Sequence, residues 1–453
     1  MNINYNKIYF IGIGGIGMSS IALYFINIGK QVAGYDLTKT ELTSKLSEFG
    51  ANIQFDSSVL KIPKEFLDNK ETLIIYTPAI PKDNTLLNYF YDNDFNVLKR
   101  SEILGEISRD KFCIAIAGTH GKTTTSTILS HILLDNNVNF TSFIGGISEN
   151  YNSNLIQNGS DVILVEADEF DRSFLTLRPD IACITSVDMD HLDIYNSNYE
   201  LQKSFNEFAC NLKANGILFK HHDILIDGIN YGFDKNAEYS IINYKKDEDF
   251  SSFDIIYDKV KSISVKFRMP GRHNACNALV AFAIGRSMQI NEIDIANSLN
   301  TFKGVKRRFS FILKSPKILI DDYAHHPNEI KAIYESVKYL YPDKNIMAIF
   351  QPHLYTRTRD FMDQFAQILS KFDKVALLDI YPAREKAIEG VNSMELLKRI
   401  NVNSKSLVNK SELTCLIKES NSDVFVVMGA GDISEEISKI KECILSKYEK
   451  KLI

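Results

Sequence analysis

Residues 112–125 read FCIAIAGTHGKTTT, an apolar run followed at once by glycines, a lysine and threonines. Phe112–Ala117 has the composition of a buried strand, and a helical pattern begins at Lys122 and continues to about Leu134. A strand, a glycine-rich turn and a helix in this order predict an α/β unit with a parallel sheet.

The turn itself predicts a phosphate site. Backbone amides at a helix start bind anions, a lysine there reaches the terminal phosphates, and a hydroxyl binds Mg²⁺. Ile116 stands where the general phosphate-loop pattern has glycine, so a tight turn that carries Lys-Thr by chance is the alternative. The predicted ATP-binding residues of this loop are Gly118, Thr119, His120, Gly121, Lys122, Thr123 and Thr124.

Acidic clusters follow the next two predicted strands, Val162–Glu166 and Ile181–Ser186. Glu166 begins the sequence EADE, and His191 lies among three acids in DMDHLD. Because ligands gather at the carboxyl ends of strands in open α/β sheets, we predict that Thr123, Glu166 and His191 hold a nucleotide-bound Mg²⁺. Alone, either cluster would be read as a solvated loop.

The start of the chain carries a second glycine-rich turn. Strand Lys7–Ile13 runs into Gly12-x-Gly14-x-x-Gly17, and Asp36 ends the next strand, Gln31–Tyr35. This is a Rossmann pattern in its strand–turn–helix context and predicts a nucleotide ligand without identifying it. We expect one βαβ half and a short strand at Thr72–Tyr76, which is too little room for a full dinucleotide fold.

A third α/β unit is predicted near the C-terminus. It carries DDYAHHP at 321–327 and QPHLYTRTR at 351–359, each at a strand end. Paired histidines and carboxylates suit proton or metal chemistry, and Arg357 could clamp a carboxylate or phosphate. The alternatives are a helix start at Pro327 and a surface arginine. The predicted strands are Ile318–Ile320, Ile346–Phe350, Val375–Leu378 and Val424–Met428.

Composition limits the class of protein. The 453 residues suggest about three domains, which we place at 1–108, 109–309 and 310–453. A net charge of −5 argues against a nonspecific nucleic-acid binder. The six cysteines have no metal-site spacing, and no leader or long apolar stretch is present. We therefore expect a soluble, cytoplasmic protein with free thiols, no nucleic-acid partner and no membrane association.

In combination, GTHGKTTT, EADE with SFL, DHLD, GRHN and DDYAHHP resemble the Mur ligases from about residue 7 to about residue 432. The resemblance implies three α/β domains: a Rossmann-like UDP-sugar domain, a central ATP domain and a Rossmann-like C-terminal domain that binds the amino acid. FIGIGGIGMS and FQPH-YTRT resemble the members that use ATP and Mg²⁺ to join L-alanine to the lactyl carboxylate of UDP-N-acetylmuramate, in peptidoglycan precursor synthesis.

The resemblance also implies residue roles. Lys122, His191, His325 and Arg357 would be catalytic, and Tyr323 would join the last two at the muramyl carboxylate and the amino acid. Further ATP contacts would come from His273, Asn274, Asn277, Arg308 and Asp322, and UDP-sugar contacts from Gly12, Gly14, Gly15, Gly17 and Asp36. Leu354 replaces an arginine of many relatives, and Lys203 lies near the position of a carbamoylated lysine in sibling ligases.

Three alternatives remain at this point. A muropeptide-recycling ligase would attach a tripeptide to the same UDP-sugar. An NAD-dependent oxidoreductase fused to a phosphate-loop module would use the first glycine turn differently. A nucleotide-gated binding protein would have no catalysis. The oligomeric state and the general base, whether His325 or a nearby carboxylate, are not predicted.

Overall fold

The computed structural model describes residues 5–188, 195, 197–246, 250–383 and 385–449, and these residues form three sheets. The first sheet is parallel throughout, in the order β3-β2-β1-β4-β5. Its strands are β1 (Lys7–Ile11), β2 (Gln31–Tyr35), β3 (Asn52–Gln54), β4 (Thr72–Tyr76) and β5 (Asn96–Lys99). Its helices are α1 (Ile16–Asn27), α2 (Glu41–Glu48), α3 (Thr85–Asp92) and α4 (Arg100–Ser108).

Strand β1 explains why this sheet is covered on both faces. Ile8 and Phe10 pack into one apolar core, and Tyr9 and Ile11 pack into another. Alternate side chains of a strand point to opposite faces, so an all-apolar strand needs a helix layer on each side. The expectation of a single βαβ half with one further strand was wrong, because the short strands β3 and β5 complete a five-stranded sheet.

The second sheet has ten strands among the described residues, in the order β15-β14-β13-β12-β11-β10-β6-β9-β7-β8. Its first strands are β6 (Phe112–Ala117), β7 (Phe140–Phe143), β8 (Leu155–Gln157), β9 (Val162–Glu166) and β10 (Ile181–Ile184). The others are β11 (Ile217–His221), β12 (Ile229–Gly232), β13 (Tyr239–Lys246), β14 (Ser251–Tyr257) and β15 (Lys261–Phe267). Its helices are α5 (Lys122–Asp135), α6 (Asn198–Cys210), α7 (Arg272–Ser287) and α8 (Glu292–Thr301).

The third sheet has the order β16-β17-β21-β18-β19-β20, and only its edge strand β16 is antiparallel. Its strands are β16 (Ser310–Leu313), β17 (Ile318–Asp322), β18 (Ile346–Phe350), β19 (Lys374–Leu377), β20 (Ser404–Leu407) and β21 (Val424–Met428). Its helices are α9 (Pro327–Leu340), α10 (Tyr355–Asp360), α11 (Met362–Leu369), α12 (Ser393–Arg399), α13 (Leu413–Glu419) and α14 (Ile437–Glu449).

The chemistry-bearing loops lie at the carboxyl ends of central strands. Strand β6 pairs with β9 on one side and β10 on the other. The loops after all three strands therefore emerge at one edge of the sheet, as parallel pairing requires. Within the described part of the chain, no helix is both long and apolar enough to cross a membrane.

Candidate active site

The loop between β6 and α5 depends on two glycines. Gly118 and Gly121 have φ values of 132° and 85°, in the left-handed region that side chains disfavour. A Cβ on Gly121 would lie 2.7 Å from Oδ1 of Asn277, and one on Gly118 would lie 2.1 Å from Oγ1 of Thr185. The loop can thus be packed this closely against its neighbours only with glycine at both positions.

Lys122, the first residue of α5, is paired with a buried carboxylate. Its Nζ lies 2.7 Å and 3.0 Å from the two carboxylate oxygens of Glu169, which is fully buried. Burial alone would lower the pKa of Lys122, but the carboxylates of Glu169 and Asp168 outweigh it and raise the pKa. The lysine is therefore a permanent cation at the phosphate loop.

Thr123 and Glu166 have the chemistry of a magnesium site. The Thr123 hydroxyl donates to Oε1 of Glu166 over 2.8 Å, and the backbone amide of Gly145 donates to Oε2 over 2.7 Å. A hydroxyl beside a carboxylate at the phosphate loop supplies the oxygen ligands that Mg²⁺ prefers. The predicted third ligand, His191, lies outside the described residues.

A cavity of about 590 Å³ opens beside the phosphate loop. It lies between the part of the chain built on the second sheet, here called the central unit, and the part built on the third sheet, here called the C-terminal unit. Helix α9 of the C-terminal unit brings Asn328 and Glu329 to its wall. The predicted ATP-binding residues that line it are His120, Gly121, Thr124, His273, Asn274, Asn277, Arg308 and Asp322. The remaining four, Gly118, Thr119, Lys122 and Thr123, belong to the same loop but not to the cavity wall.

The start of α7 supplies part of this wall. The Asn277 side chain accepts from the Thr125 hydroxyl over 3.2 Å, and Asn274 donates to the carbonyl of Pro270 over 2.7 Å. His273 lines the cavity with an exposed side chain. The segment is therefore both the start of a helix and part of the cavity wall.

Glu329 on α9 connects the phosphate loop to the C-terminal unit. Its Oε1 lies 3.3 Å from Nδ1 of His120 and 3.7 Å from Nη1 of Arg308. Its Oε2 accepts from the amides of His325 and His326 over 2.9 Å and 3.2 Å. Burial would raise the pKa of Glu329, but His325, His120 and Arg308 hold it well below the usual range.

Asp322, at the end of β17, is buried beside the same cavity. It accepts from the amides of Phe309 and Ala324 over 2.6 Å and 2.7 Å. Burial raises its pKa to about 7, although Arg308 and these amides act in the opposite direction. This carboxyl group therefore titrates near neutral pH.

The three residues predicted at the carboxylate and amino-acid end lie together, and they adjoin the cavity wall at Glu329 without being part of it. Nδ1 of His325 is 3.0 Å from the carbonyl of Tyr323, and the His325 and His353 rings are 5.9 Å apart. Arg357 is buried, with Nη1 3.5 Å from Nδ1 of His353. Leu354 is buried at the start of α10 with a φ of 69°.

The first glycine turn is held by Asp36. Its Oδ2 accepts from the amide of Gly14 over 2.7 Å, and its Oδ1 accepts from the amide of Thr38 over 3.1 Å. Gly12 has a φ of 86°, and Gly15 precedes the first residue of α1. Asp36 thus fixes the shape of the turn.

Arg100 was missed by the sequence analysis. A Cβ on Gly17 would lie 2.5 Å from Nη1 of Arg100, while Nη2 is 2.9 Å from Oδ2 of Asp168. The arginine therefore connects the first glycine turn to the EADE loop of the central unit. Glu169 and Glu329 were also missed as individual residues, although Glu329 stands three residues after His326 in a capping box.

Three further residues, His221, His222 and Lys203, can be placed in the structure. The sequence predicts that His221 and His222 lie in a solvated polar turn. His222 lies in a turn, but His221 ends β11 and lines the cavity. Lys203 lies on α6 with an exposed side chain and is not part of the cavity wall.

Three segments between residues 7 and 431 match domains of the same protein family. Residues 7–112 match the description "Mur ligase family, catalytic domain", residues 116–285 "Mur ligase middle domain" and residues 307–431 "Mur ligase, glutamate ligase domain". A UDP-N-acetylmuramate–L-alanine ligase of Flavobacterium psychrophilum is 50% identical over 98% of this chain and 99% of its own. One from Christiangramia forsetii is 48% identical over 96% and 97%.

The fold agrees with this similarity. The crystal structure of a UDP-N-acetylmuramate–alanine ligase from Thermotoga maritima has a TM-score of 0.83 and 28% identity, and the match covers 97% of this chain and 99% of that one. A murein peptide ligase from Psychrobacter arcticus, 21% identical with a TM-score of 0.71, shares the fold. Three segments match Mur ligase domains, and a relative that is 50% identical aligns over nearly the whole chain. The chain therefore belongs to the Mur ligase family.

Proposed function

We propose that this protein uses ATP to join L-alanine to the lactyl carboxylate of UDP-N-acetylmuramate, in the cytoplasmic synthesis of peptidoglycan precursors. One observation carries the proposal: a phosphate loop with a paired lysine opens onto a cavity that is completed by Arg308, Asp322 and Glu329. The relatives at 50% and 48% identity, which bear the name of this activity, support the choice of substrates.

ATP would occupy the cavity beside the phosphate loop. Its adenosine would meet His273, Asn274 and Asn277, and its terminal phosphates would meet Lys122. Thr123 and Glu166, with His191, would hold Mg²⁺, which supplies positive charge to the transferring phosphoryl group when bound. The hydrogen bond between the Thr123 hydroxyl and the Glu166 carboxylate supports this position for the metal.

UDP-N-acetylmuramate would bind at the first glycine turn. The amides at the start of α1 would face its diphosphate, as helix N-termini favour anions. Arg100 lies against Gly17 and is paired with Asp168, so it would stand between the UDP-sugar and the central unit. With this assignment, residues 1–108 bind the UDP-sugar, 109–309 bind ATP and 310–453 bind the amino acid and close the site.

The chemistry follows from the poor reactivity of a carboxylate. An oxygen of the lactyl carboxylate attacks the γ-phosphorus of ATP, which gives an acyl phosphate and releases ADP. The amine of L-alanine then attacks the acyl carbon, the carbon–oxygen bond to phosphate breaks, and phosphate leaves. Lys122 would stabilise the transferring charge. His325, beside Tyr323 and near Arg357 through His353, would take the proton from the amine.

Product analysis tests the choice of amino acid. We expect phosphate release from ATP to require both UDP-N-acetylmuramate and L-alanine. A tripeptide added in place of L-alanine should support little turnover and should compete weakly. Faster turnover with the tripeptide would instead favour the recycling-ligase alternative.

Isotope transfer tests the intermediate. If UDP-N-acetylmuramate carries ¹⁸O in its lactyl carboxylate, one labelled oxygen should appear in the released phosphate, because the attacking oxygen stays with phosphorus when the acyl bond breaks. Mass spectrometry of the phosphate gives the result, with unlabelled substrate in ¹⁸O-water as the control. Release of AMP and pyrophosphate would contradict this mechanism.

Removal of the Asp36 carboxylate should weaken binding of the UDP-sugar. The Asp36→Ala variant leaves the amide of Gly14 without its acceptor and loosens the turn. A loss of about 1–2 kcal/mol corresponds to a roughly tenfold higher KM for UDP-N-acetylmuramate. The KM for ATP and kcat should change little.

Asp56→Ala is the matched control, since Asp56 is an exposed carboxylate of the same unit paired with Lys61. Calorimetric titration measures both variants. Micromolar binding of NADH or NADPH without binding of UDP-N-acetylmuramate would overturn the assignment of this site.

A further inference from the structure

A group of metal-ligating side chains lies outside the proposed catalytic machinery. His221, His222 and Asp223 each offer a ligand atom, and these atoms all lie within 4.8 Å of one another. We propose that they form a binding site for a divalent transition metal of the Zn²⁺ class, on the wall of the nucleotide cavity. This site is separate from the Thr123–Glu166 pair, with which it shares no residue.

The local fold brings the three donors together. His221 ends β11, and the amide of Ile224 donates to the carbonyl of His221 over 3.0 Å, which closes a tight turn. The turn places the Asp223 carboxylate against both rings: Oδ2 is 3.3 Å from Nδ1 of His221 and Oδ1 is 3.1 Å from Nε2 of His222. Ligands at ~2.0–2.2 Å around a tetrahedral zinc are separated by roughly 3.3–3.5 Å, and both histidine–carboxylate separations are close to that value.

The orientation of each ring is fixed by its neighbours. A Cβ on Gly232 would lie 2.3 Å from Nδ1 of His222, and this buried nitrogen has no hydrogen-bond partner within the described structure. Nε2 is therefore the nitrogen of His222 that is available to a metal. Nε2 of His221 faces the thiol of Cys276 at 4.0 Å, which leaves Nδ1 as its ligand atom.

The donor set selects the metal. Two imidazoles and one carboxylate suit Zn²⁺ and its neighbours, whereas Mg²⁺ prefers a ligand set made mainly of oxygens. Cys276 would act through His221, because metal-bound imidazoles usually have a partner at their second nitrogen. His221 and Asp223 line the cavity, so the fourth position would be open to water or to a bound nucleotide.

Metal titration tests the site. Untagged, nucleotide-free protein in excess Mg²⁺ is titrated with Zn²⁺ against a chromogenic chelator, and we expect a single site that competes with it. His222→Ala and Asp223→Ala should each weaken Zn²⁺ about 100-fold or more, and Cys276→Ser roughly tenfold. Asp223 is 74% exposed, so its variant tests the site without disturbing the core.

Two matched controls separate this site from nonspecific binding. Asp234→Ala removes an exposed carboxylate on a neighbouring turn, and Cys210→Ser removes an exposed thiol; both should bind Zn²⁺ as the wild type does. Co²⁺ at the site should give the visible absorption of four-coordinate cobalt without a thiolate charge-transfer band. Unchanged Zn²⁺ affinity in Asp223→Ala, or no Zn²⁺ site at all, would overturn the proposal.

Discussion

The Lys122→Met variant should lose nearly all ligase activity. A methionine keeps most of the side-chain volume but removes the cation that lies at the start of α5. Loss of one charge that stabilises a transferring phosphoryl group lowers kcat by about 10³-fold or more. Phosphate release in the presence of both substrates measures the effect.

The same variant should also be less stable, since it leaves the fully buried carboxylate of Glu169 without its cation. Removing one partner of a buried ion pair typically lowers the free energy of unfolding by about 3–5 kcal/mol. The double variant Lys122→Met/Glu169→Gln removes both charges and should recover much of this stability in denaturant unfolding while remaining inactive. Near-normal turnover in a folded Lys122→Met protein would refute the phosphate assignment.

Glu329→Ala should impair both stability and turnover. The variant removes the only carboxylate that meets His120, Arg308 and His325 together among the described ion pairs. We expect a loss of up to about 3 kcal/mol in the free energy of unfolding, because partly buried positive groups lose their counterpart. Turnover should fall by roughly 10²-fold, as His120 and His325 lose the group that orients them.

Glu335→Ala is the control on the same helix. Glu335 forms an exposed pair with Lys331 at 4.0 Å, and its removal should change stability by no more than about 0.5 kcal/mol. Glu329→Asp keeps the charge and should retain more activity than Glu329→Ala. Equal losses in both Glu329 variants with an unchanged KM for ATP would favour a purely structural role.

The pH dependence of stability gives an independent measurement. The folded-state pKa of Glu329 is depressed, so its carboxylate contributes stability that is fully present above the usual glutamate pKa and is lost as pH falls through the folded value. On acidification below about pH 5, the difference in unfolding free energy between wild type and Glu329→Gln should shrink, because protonation removes the charge of Glu329. A difference that grows on acidification would contradict this.

Local sequence patterns predicted the strands that carry the motifs. Phe112–Ala117 and Val162–Glu166 have the bounds that were expected, because each is an apolar run closed by a glycine or an acid. Strands β11–β15 were not identified, since β14 and β15 mix charged residues with apolar ones and β12 ends at a glycine. Their pairing depends on neighbours that are distant in sequence.

The candidate site also contains some features that the local sequence indicates and others that it does not. Glycine turns and acidic strand ends are visible in sequence because their function is local. Arg100 and Glu329 act through contacts with residues 68 and about 200 positions away, as the Arg100–Asp168 and His120–Glu329 pairs show. No periodicity or spacing indicates such a contact, so these residues emerge only from the folded arrangement.

The Lys122–Glu169 pair has a consequence for nucleotide affinity. In the folded protein this lysine already has a counterion, so a phosphate bound at the proposed site would have to displace Glu169 or share the cation with it. Phosphate would thus replace one anion with another at Lys122. Part of the free energy gained from the lysine–phosphate attraction would be offset by the cost of separating Lys122 from Glu169. On the proposed assignment, nucleotides with fewer negative charges would compete less well in this exchange, which would favour ATP over ADP and help ADP to leave.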